Sequence, residues 1–238
     1  MDAAPEILLG GHDISEFYNM QTSVIVFPGS NCDRDVAVAF EKVSGKKPTM
    51  VWHGDSTLPK SDVIVIPGGF SYGDYLRTGA MAAHSPIMGE VIAAAKKGVR
   101  VLGICNGFQI LCETLLLPGV LLRNQKLKFI CKTVALKVEQ NDTIFTKAYQ
   151  KGATIRIPVA HGDGNYFADA DTLKSLNDNG QIALRYQDNP NGSLDNIAGI
   201  FNKERTILGL MPHPERANDA LLGSEDGTGI FKSIVENM

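Results

Sequence analysis

Short apolar runs alternate with amphipathic stretches along the first half of the chain. Residues 23–27 (SVIVF) are β-branched and apolar and end on Pro28-Gly29, the pattern of a strand buried on both faces. Asp33 then offers a cap for a helix reaching about Ser44, with Val36, Phe40 and Val43 on one face and Gly45 placed to end it. Residues 49–52 and 62–66 (DVIVI) predict two further strands, the second running into the turn Pro67-Gly68-Gly69. Ser85 and Pro86 supply the cap and first turn of a helix to Lys97, closed by Gly98. Residues 99–104 (VRVLGI) predict a strand with Cys105 at its carboxyl end, and a helix from Asn106 to about Leu116 is stopped by Pro118-Gly119.

Beyond Leu122 the runs shorten and alternate, at 133–138, 153–159, 182–186, 197–201 and 207–211, as strands with one solvated face do. A last helix over 229–236 covers the sheet. The sum is an α/β chain: a mostly parallel central sheet flanked by helices, with a mixed or antiparallel extension.

Composition narrows the class. At 238 residues and 44% hydrophobic, the chain suffices for one domain with a buried core. Residues 1–19 hold four acids and no Lys or Arg, so removing them takes the net charge from −3 to +1. A near-neutral body carries no electrostatic footprint for nucleic acid or an anionic membrane. No apolar run is long enough to span a bilayer, which needs roughly 18 residues. Residues 1–19 lack the basic start and apolar centre of a signal peptide and read as a flexible leader, foreign or native, preceding a domain over 20–238. The cysteines, Cys32, Cys105, Cys112 and Cys131, form no CxxC pair and no metal-ligand spacing with histidine, which fits a reducing cytoplasm. Asp74, Asp163 and Asp226 stand singly beside glycines, as turn formers do, and no metal is expected.

The chemistry concentrates at Gly103-Ile104-Cys105-Asn106-Gly107. Two glycines around a nucleophile permit a tight strand-to-helix turn and leave no side chain to block it. The helix start favours a thiolate and an oxyanion, with the Asn106 amide as donor. A second donor is expected from the turn after the neighbouring strand, at Gly69 or Phe70. A cysteine is also an ordinary core residue; Met211-Pro212-His213-Pro214-Glu215 shifts the balance. Its prolines fix the backbone so that His213 and Glu215 can project together, His213 moving the thiol proton and Glu215 setting the imidazole tautomer.

The elbow, the glycine turn and the PHPE segment together resemble the class I, triad-type glutamine amidotransferases. FPGSNCD at 27–33, PGGFSYGDYLRTGA at 67–80, GICNGFQIL at 103–111, NPNGS at 189–193 and GLMPHPER at 209–216 resemble the glutaminase subunits of phosphoribosylformylglycinamidine synthases. The resemblance runs from about Met20 to the C-terminus. It implies a flavodoxin-like three-layer fold, Cys105, His213 and Glu215 as the triad, and Gly68, Gly69, Phe70, Asn106 and Gln109 at the oxyanion and glutamine contacts. His161, in AHGDGNY, receives no catalytic role. The implied activity is hydrolysis of L-glutamine to glutamate and ammonia through a glutamyl thioester. The implied partners are a large synthase subunit, which carries ATP and magnesium for purine biosynthesis, and a small accessory subunit. No cofactor is expected on this chain, which has neither GxxxxGK[ST] nor a GxGxxG after a strand. Three rivals remain: the glutaminase of another amidotransferase, a non-catalytic regulatory binding subunit, and a cysteine protease or esterase. Two departures stand out: residues 1–19 match nothing in the family, and 203–206 (KERT) lacks a glycine that members often carry there.

Overall fold

The computed structural model describes residues 20–238, apart from the side chain of Leu222; the expected leader, 1–19, lies outside the described residues. Val63–Ile66 is buried at every position, so its backbone can be satisfied only between two other strands. It becomes β3 of a nine-stranded sheet, between β1 (Thr22–Val26) and β4 (Arg100–Ile104). Outside β1 lies β2 (Thr49–Trp52), and beyond β4 lies β11 (Ile207–Leu210), all five parallel. The expected extension follows as β10 (Ile197–Phe201), β9 (Ile182–Tyr186), β6 (Ile130–Val138) and β7 (Thr154–His161), each antiparallel to its neighbour. A separate two-stranded ribbon pairs β5 (Val120–Leu122) with β8 (Asn165–Phe167).

Helices α1 (Asp33–Ser44), α2 (Ala80–Ala83), α3 (Pro86–Lys96), α4 (Asn106–Glu113), α5 (Ala170–Asp178) and α6 (Thr228–Val235) connect and cover these strands. Phe40 of α1 meets Phe231 of α6 edge to face, centroids 5.1 Å apart, a geometry worth about 1 kcal/mol beyond burial. That contact ties the last helix to the first.

Several boundaries differ from expectation for physical reasons. Asp33 does not cap α1: Cys32 occupies the cap position, and Asp33 is the first helical residue, where its charge favours the helix dipole. α4 stops at Glu113 rather than near Leu116. Leu115 turns left-handed (φ 60°), and the Leu115 and Leu116 amides donate back to Cys112 and Leu111 at 3.0 Å, a helix end that usually takes glycine. α5 was not anticipated, since only Leu176 of its nine residues is buried; the Asp169 carboxylate caps it by accepting from the Thr172 amide at 2.7 Å. In KERT, Arg205 adopts φ 56°, the conformation a glycine would supply, and its guanidinium is held by Asp142 at 2.7 Å.

Candidate active site

Parallel strands expose their carboxyl ends on one edge, and ligands gather there where the strand order reverses, here between β1 and β3. Cys32 follows β1, Gly68 follows β3, Cys105 follows β4 and His213 follows β11. An alanine-like Cβ at Gly68 would lie 2.8 Å from His213 Cε1, 3.2 Å from Cys32 Sγ and 3.4 Å from Cys105 Cβ. All these groups therefore converge on the space that this glycine leaves open.

Cys105 takes φ 50°, ψ −103°, a conformation costing of order 1–3 kcal/mol for a residue with a side chain. The strain is held by the Cys105 amide, which donates to Leu210 of β11 at 2.8 Å. Gly103 is required because a Cβ would meet Leu111 Cδ1 at 2.4 Å. The thiol is buried, with Sγ 3.8 Å from the Ala160 carbonyl. Asn106, the first residue of α4, has an amide with no partner inside the helix.

His213 is anchored by its own amide, which donates to Pro158 of β7 at 2.8 Å. Its Nδ1 and Glu215 Oε1 are 2.6 Å apart, both side chains almost fully buried. Nε2 is buried without a partner, so it is the ring nitrogen left for Cys105. Burial opposes charge on the ring, yet Glu215 and Cys105 outweigh it and hold the His213 pKa well above the usual imidazole value. Arg216 does not neutralise Glu215 by a direct bond: it donates to Cys32 Sγ at 3.0 Å and lies 3.7 Å from Asp35.

The glycine turn narrows the oxyanion candidates. The Phe70 amide donates to the Gly29 carbonyl at 2.9 Å, as FPGSNCD and PGGFSYGD pack against each other, so Phe70 is spent and Gly69 remains. Gly69 sits at φ 152°, where a Cβ would fall 2.7 Å from Ser30 Cα. The Asn106 and Gln109 side chains are also engaged. Asn106 Oδ1 accepts from the Ser71 amide at 3.2 Å and from the Ser71 hydroxyl, and its Nδ2 donates to Gln109 Oε1 at 2.8 Å. Gln109 Nε2 donates to the Asp163 carbonyl at 2.7 Å. These two side chains therefore brace the wall of the site.

His161 enters that wall. Burial, then the charge of His213, lower its pKa to about 4, so it is neutral. The hydrogen bonding fits one tautomer: Nδ1 donates to Asn124 Oδ1 at 3.0 Å, while Nε2 lies 3.4 Å from Asn191 Nδ2. The Gly164 amide donates to Asn124 at 3.0 Å, and Asn191 donates to the Gly164 carbonyl at 2.8 Å. Thus AHGDG and NPNGS form one buried network that fixes the Ala160 and Asp163 carbonyls. Cys32, Ser71, Asn124 and Asn191 were not singled out as site residues. Only the motifs around Cys32, Ser71 and Asn191 hinted at them, and no local pattern marked Asn124.

Asp74 and Asp163 are not isolated as the sequence suggested. Burial and the Asp163 charge push the Asp74 carboxyl up to about 6, and Asp74 Oδ1 is buried without a partner. An acid whose folded pKa exceeds its unfolded 3.8 costs stability as pH rises through that window, fully so above about 6. Asp74→Asn is expected to raise stability near neutral pH by about 1 kcal/mol, discounted for partial exposure, and to change nothing in acid below the window. Thermal unfolding at both pH values checks this; an equal shift at each shows that the cost is not electrostatic.

Comparison with known proteins agrees with this geometry. The family model of the CobB/CobQ-like glutamine amidotransferase domain matches residues 19–228. The phosphoribosylformylglycinamidine synthase subunit PurQ of Ruegeria pomeroyi is 57% identical, covering 90% of this chain and 97% of its own. The PurQ subunit of Roseobacter denitrificans is 58% identical over the same shares. The solved structure of PurLQS from Thermotoga maritima includes a chain 49% identical, with TM-score 0.85, covering 91% of this chain and 98% of that one. Matched this far along its length and at these identities, the chain belongs to the CobB/CobQ-like glutamine amidotransferase family and, within it, to the PurQ subunits of phosphoribosylformylglycinamidine synthase.

Proposed function

We propose that this chain is the glutaminase subunit of a phosphoribosylformylglycinamidine synthase and releases ammonia from glutamine through Cys105, His213 and Glu215. The observation that carries the catalytic assignment is the buried His213–Glu215 pair, 2.6 Å apart, beside a cysteine on a strained strand-to-helix turn. His213 Nε2 takes the Cys105 proton, and the thiolate attacks the side-chain amide carbon of glutamine. Glu215 and Cys105 favour positive charge on His213, so the ring can hold the proton it takes. The Asn106 and Gly69 amides hold the tetrahedral oxyanion. As the intermediate collapses, His213 returns the proton and ammonia leaves; water then cleaves the glutamyl thioester to glutamate, with His213 as base.

Ammonia is protonated in bulk water, so it passes within the complex to an ATP-dependent synthase subunit for de novo purine biosynthesis. ATP and magnesium bind there, this chain needs no cofactor, and a small accessory subunit completes the assembly. Cytoplasm is the proposed setting, consistent with the free cysteines Cys32, Cys105, Cys112 and Cys131.

The test is glutamate release by the purified chain, alone and with both partner subunits, ATP and acceptor. Release is expected to be slow alone and to rise on assembly, since catalytic hydrogen bonds tighten in the working complex. A glutamine-derived electrophile is expected to label Cys105 ahead of the other three cysteines. A chain that is neither labelled nor active in the complex is a binding subunit, and the proposal fails.

A further inference from the structure

His213 has a second sulfur neighbour that the glutaminase chemistry does not use. Cys32 Sγ lies 3.8 Å from Nδ1, the nitrogen facing Glu215. One donor atom each from Cys32, His213 and Glu215 all fall within 4.8 Å of one another, and all three residues are buried. Glu215 Oε2 is buried with no hydrogen-bond partner, so the carboxylate holds an oxygen in reserve. We propose that Cys32, His213 Nδ1 and Glu215 form an inhibitory binding site for zinc.

Thiolate, imidazole and carboxylate are the three donor types zinc takes, usually in tetrahedral geometry with bonds of about 2.0–2.3 Å. Such bonds set ligand atoms roughly 3.3–3.7 Å apart. The Cys32–His213 spacing of 3.8 Å is already close to that range. The His213–Glu215 spacing of 2.6 Å must open by under about 1 Å, or Oε2 must rotate in. Three protein ligands leave the fourth position to water.

Two contacts oppose the ion. The Cys32 thiol donates to Asn31 Oδ1 at 3.1 Å, a bond its thiolate gives up. Arg216 donates to Cys32 Sγ at 3.0 Å and must withdraw, though Asp35, 3.7 Å from its Nε, still holds it. Losing both contacts makes the site a reversible one, weaker than a structural zinc centre. The Cys32 thiol releases its proton to solvent, and as the metal takes Nδ1 a charged ring releases its Nδ1 proton to solvent while a neutral ring shifts it to Nε2. A ring with zinc on Nδ1 and a proton on Nε2 cannot accept the Cys105 proton. Zinc therefore lowers kcat without competing for glutamine. That consequence rests on the proposed glutaminase reading, whereas binding itself does not.

Binding is tested on the full chain without any activity assay. Cobalt(II) is titrated as a chromophoric stand-in for zinc, and thiolate-to-cobalt absorption is followed in wild type, Cys32→Ser and Cys105→Ala. The expected result is absorption kept in Cys105→Ala and lost in Cys32→Ser, whose affinity falls by more than about 100-fold. The reverse pattern, loss in both, or no absorption in wild type overturns the site. Zinc K-edge absorption on the wild-type protein covers the case of a misfolded variant: one sulfur at about 2.3 Å supports the proposal, and two or none overturns it. In the assembled synthase, zinc is then expected to cut glutamate release at saturating glutamine. Inhibition relieved by excess glutamine places the ion against Cys105 instead and overturns the proposal.

Discussion

Cys105→Ala is expected to abolish glutamate release, by at least about 10⁴-fold in kcat, because a triad without its nucleophile retains only binding and oxyanion stabilisation. The fold should survive. Alanine keeps Cβ and meets the same φ of 50°, and the Cys105 amide still donates to Leu210 at 2.8 Å. The measurement pairs glutamate release in the assembled complex with thermal unfolding of the isolated chain. A mutant that unfolds like wild type yet releases no glutamate has lost chemistry alone; one that releases glutamate at a comparable rate removes Cys105 from the mechanism. The double variant Cys105→Ala with His213→Ala should be no worse than the single one, since the two act as a unit. A further large loss in the double variant would mean that His213 works independently of the thiol.

What the sequence made legible follows from where its signals are local. β3, and β4 beyond its half-buried Arg100, were readable because strands buried on both faces have no polar positions to spare. The Cys105 elbow was readable because glycines on both sides of a nucleophile are a local signature, even though only Gly103 is forced by neighbours in the motif and Gly107 is forced by Ile66 of β3. His213 and Glu215 were readable because prolines fix the short segment between them. The network of His161, Asn124 and Asn191 was hidden, since it joins residues from three distant parts of the chain and none is unusual alone. The loop after Gly69 was equally opaque: Tyr72, Asp74 and Leu76 all take left-handed φ without being glycine, and Tyr72 is held by its hydroxyl against His53 and Ser85, contacts that no turn rule encodes. Leu115 and Arg205 repeat that lesson at the end of α4 and before β11. Propensity places glycine at such positions, and other residues take them at modest cost. Phe70 shows the same limit at the site, because whether its amide is free depends on Gly29, some forty residues earlier.

Gly107→Ala is expected to be the most destabilising single change in this region, by about 3 kcal/mol or more. Gly107 lies in α4 with no left-handed φ, so the demand is one of space alone. A Cβ there would stand 1.9 Å from the Ile66 carbonyl oxygen and 2.8 Å from its carbon, both backbone atoms of β3 that cannot rotate away. Either α4 lifts from the sheet or the end of β3 is displaced. The first loosens a helix whose residues 106–112 are all buried; the second moves Pro67, Gly68 and Gly69, and with them the turn that faces Cys105. Both routes degrade the site, so the folded fraction should also lose glutaminase activity, where a 1 Å misplacement costs about 10²-fold. Chemical denaturation gives the first quantity and glutamate release per folded molecule the second. A variant with an unchanged midpoint and full activity would show that α4 and β3 do not approach this closely. A variant that is destabilised but fully active per folded molecule would show instead that the contact serves the fold and leaves the catalytic turn untouched.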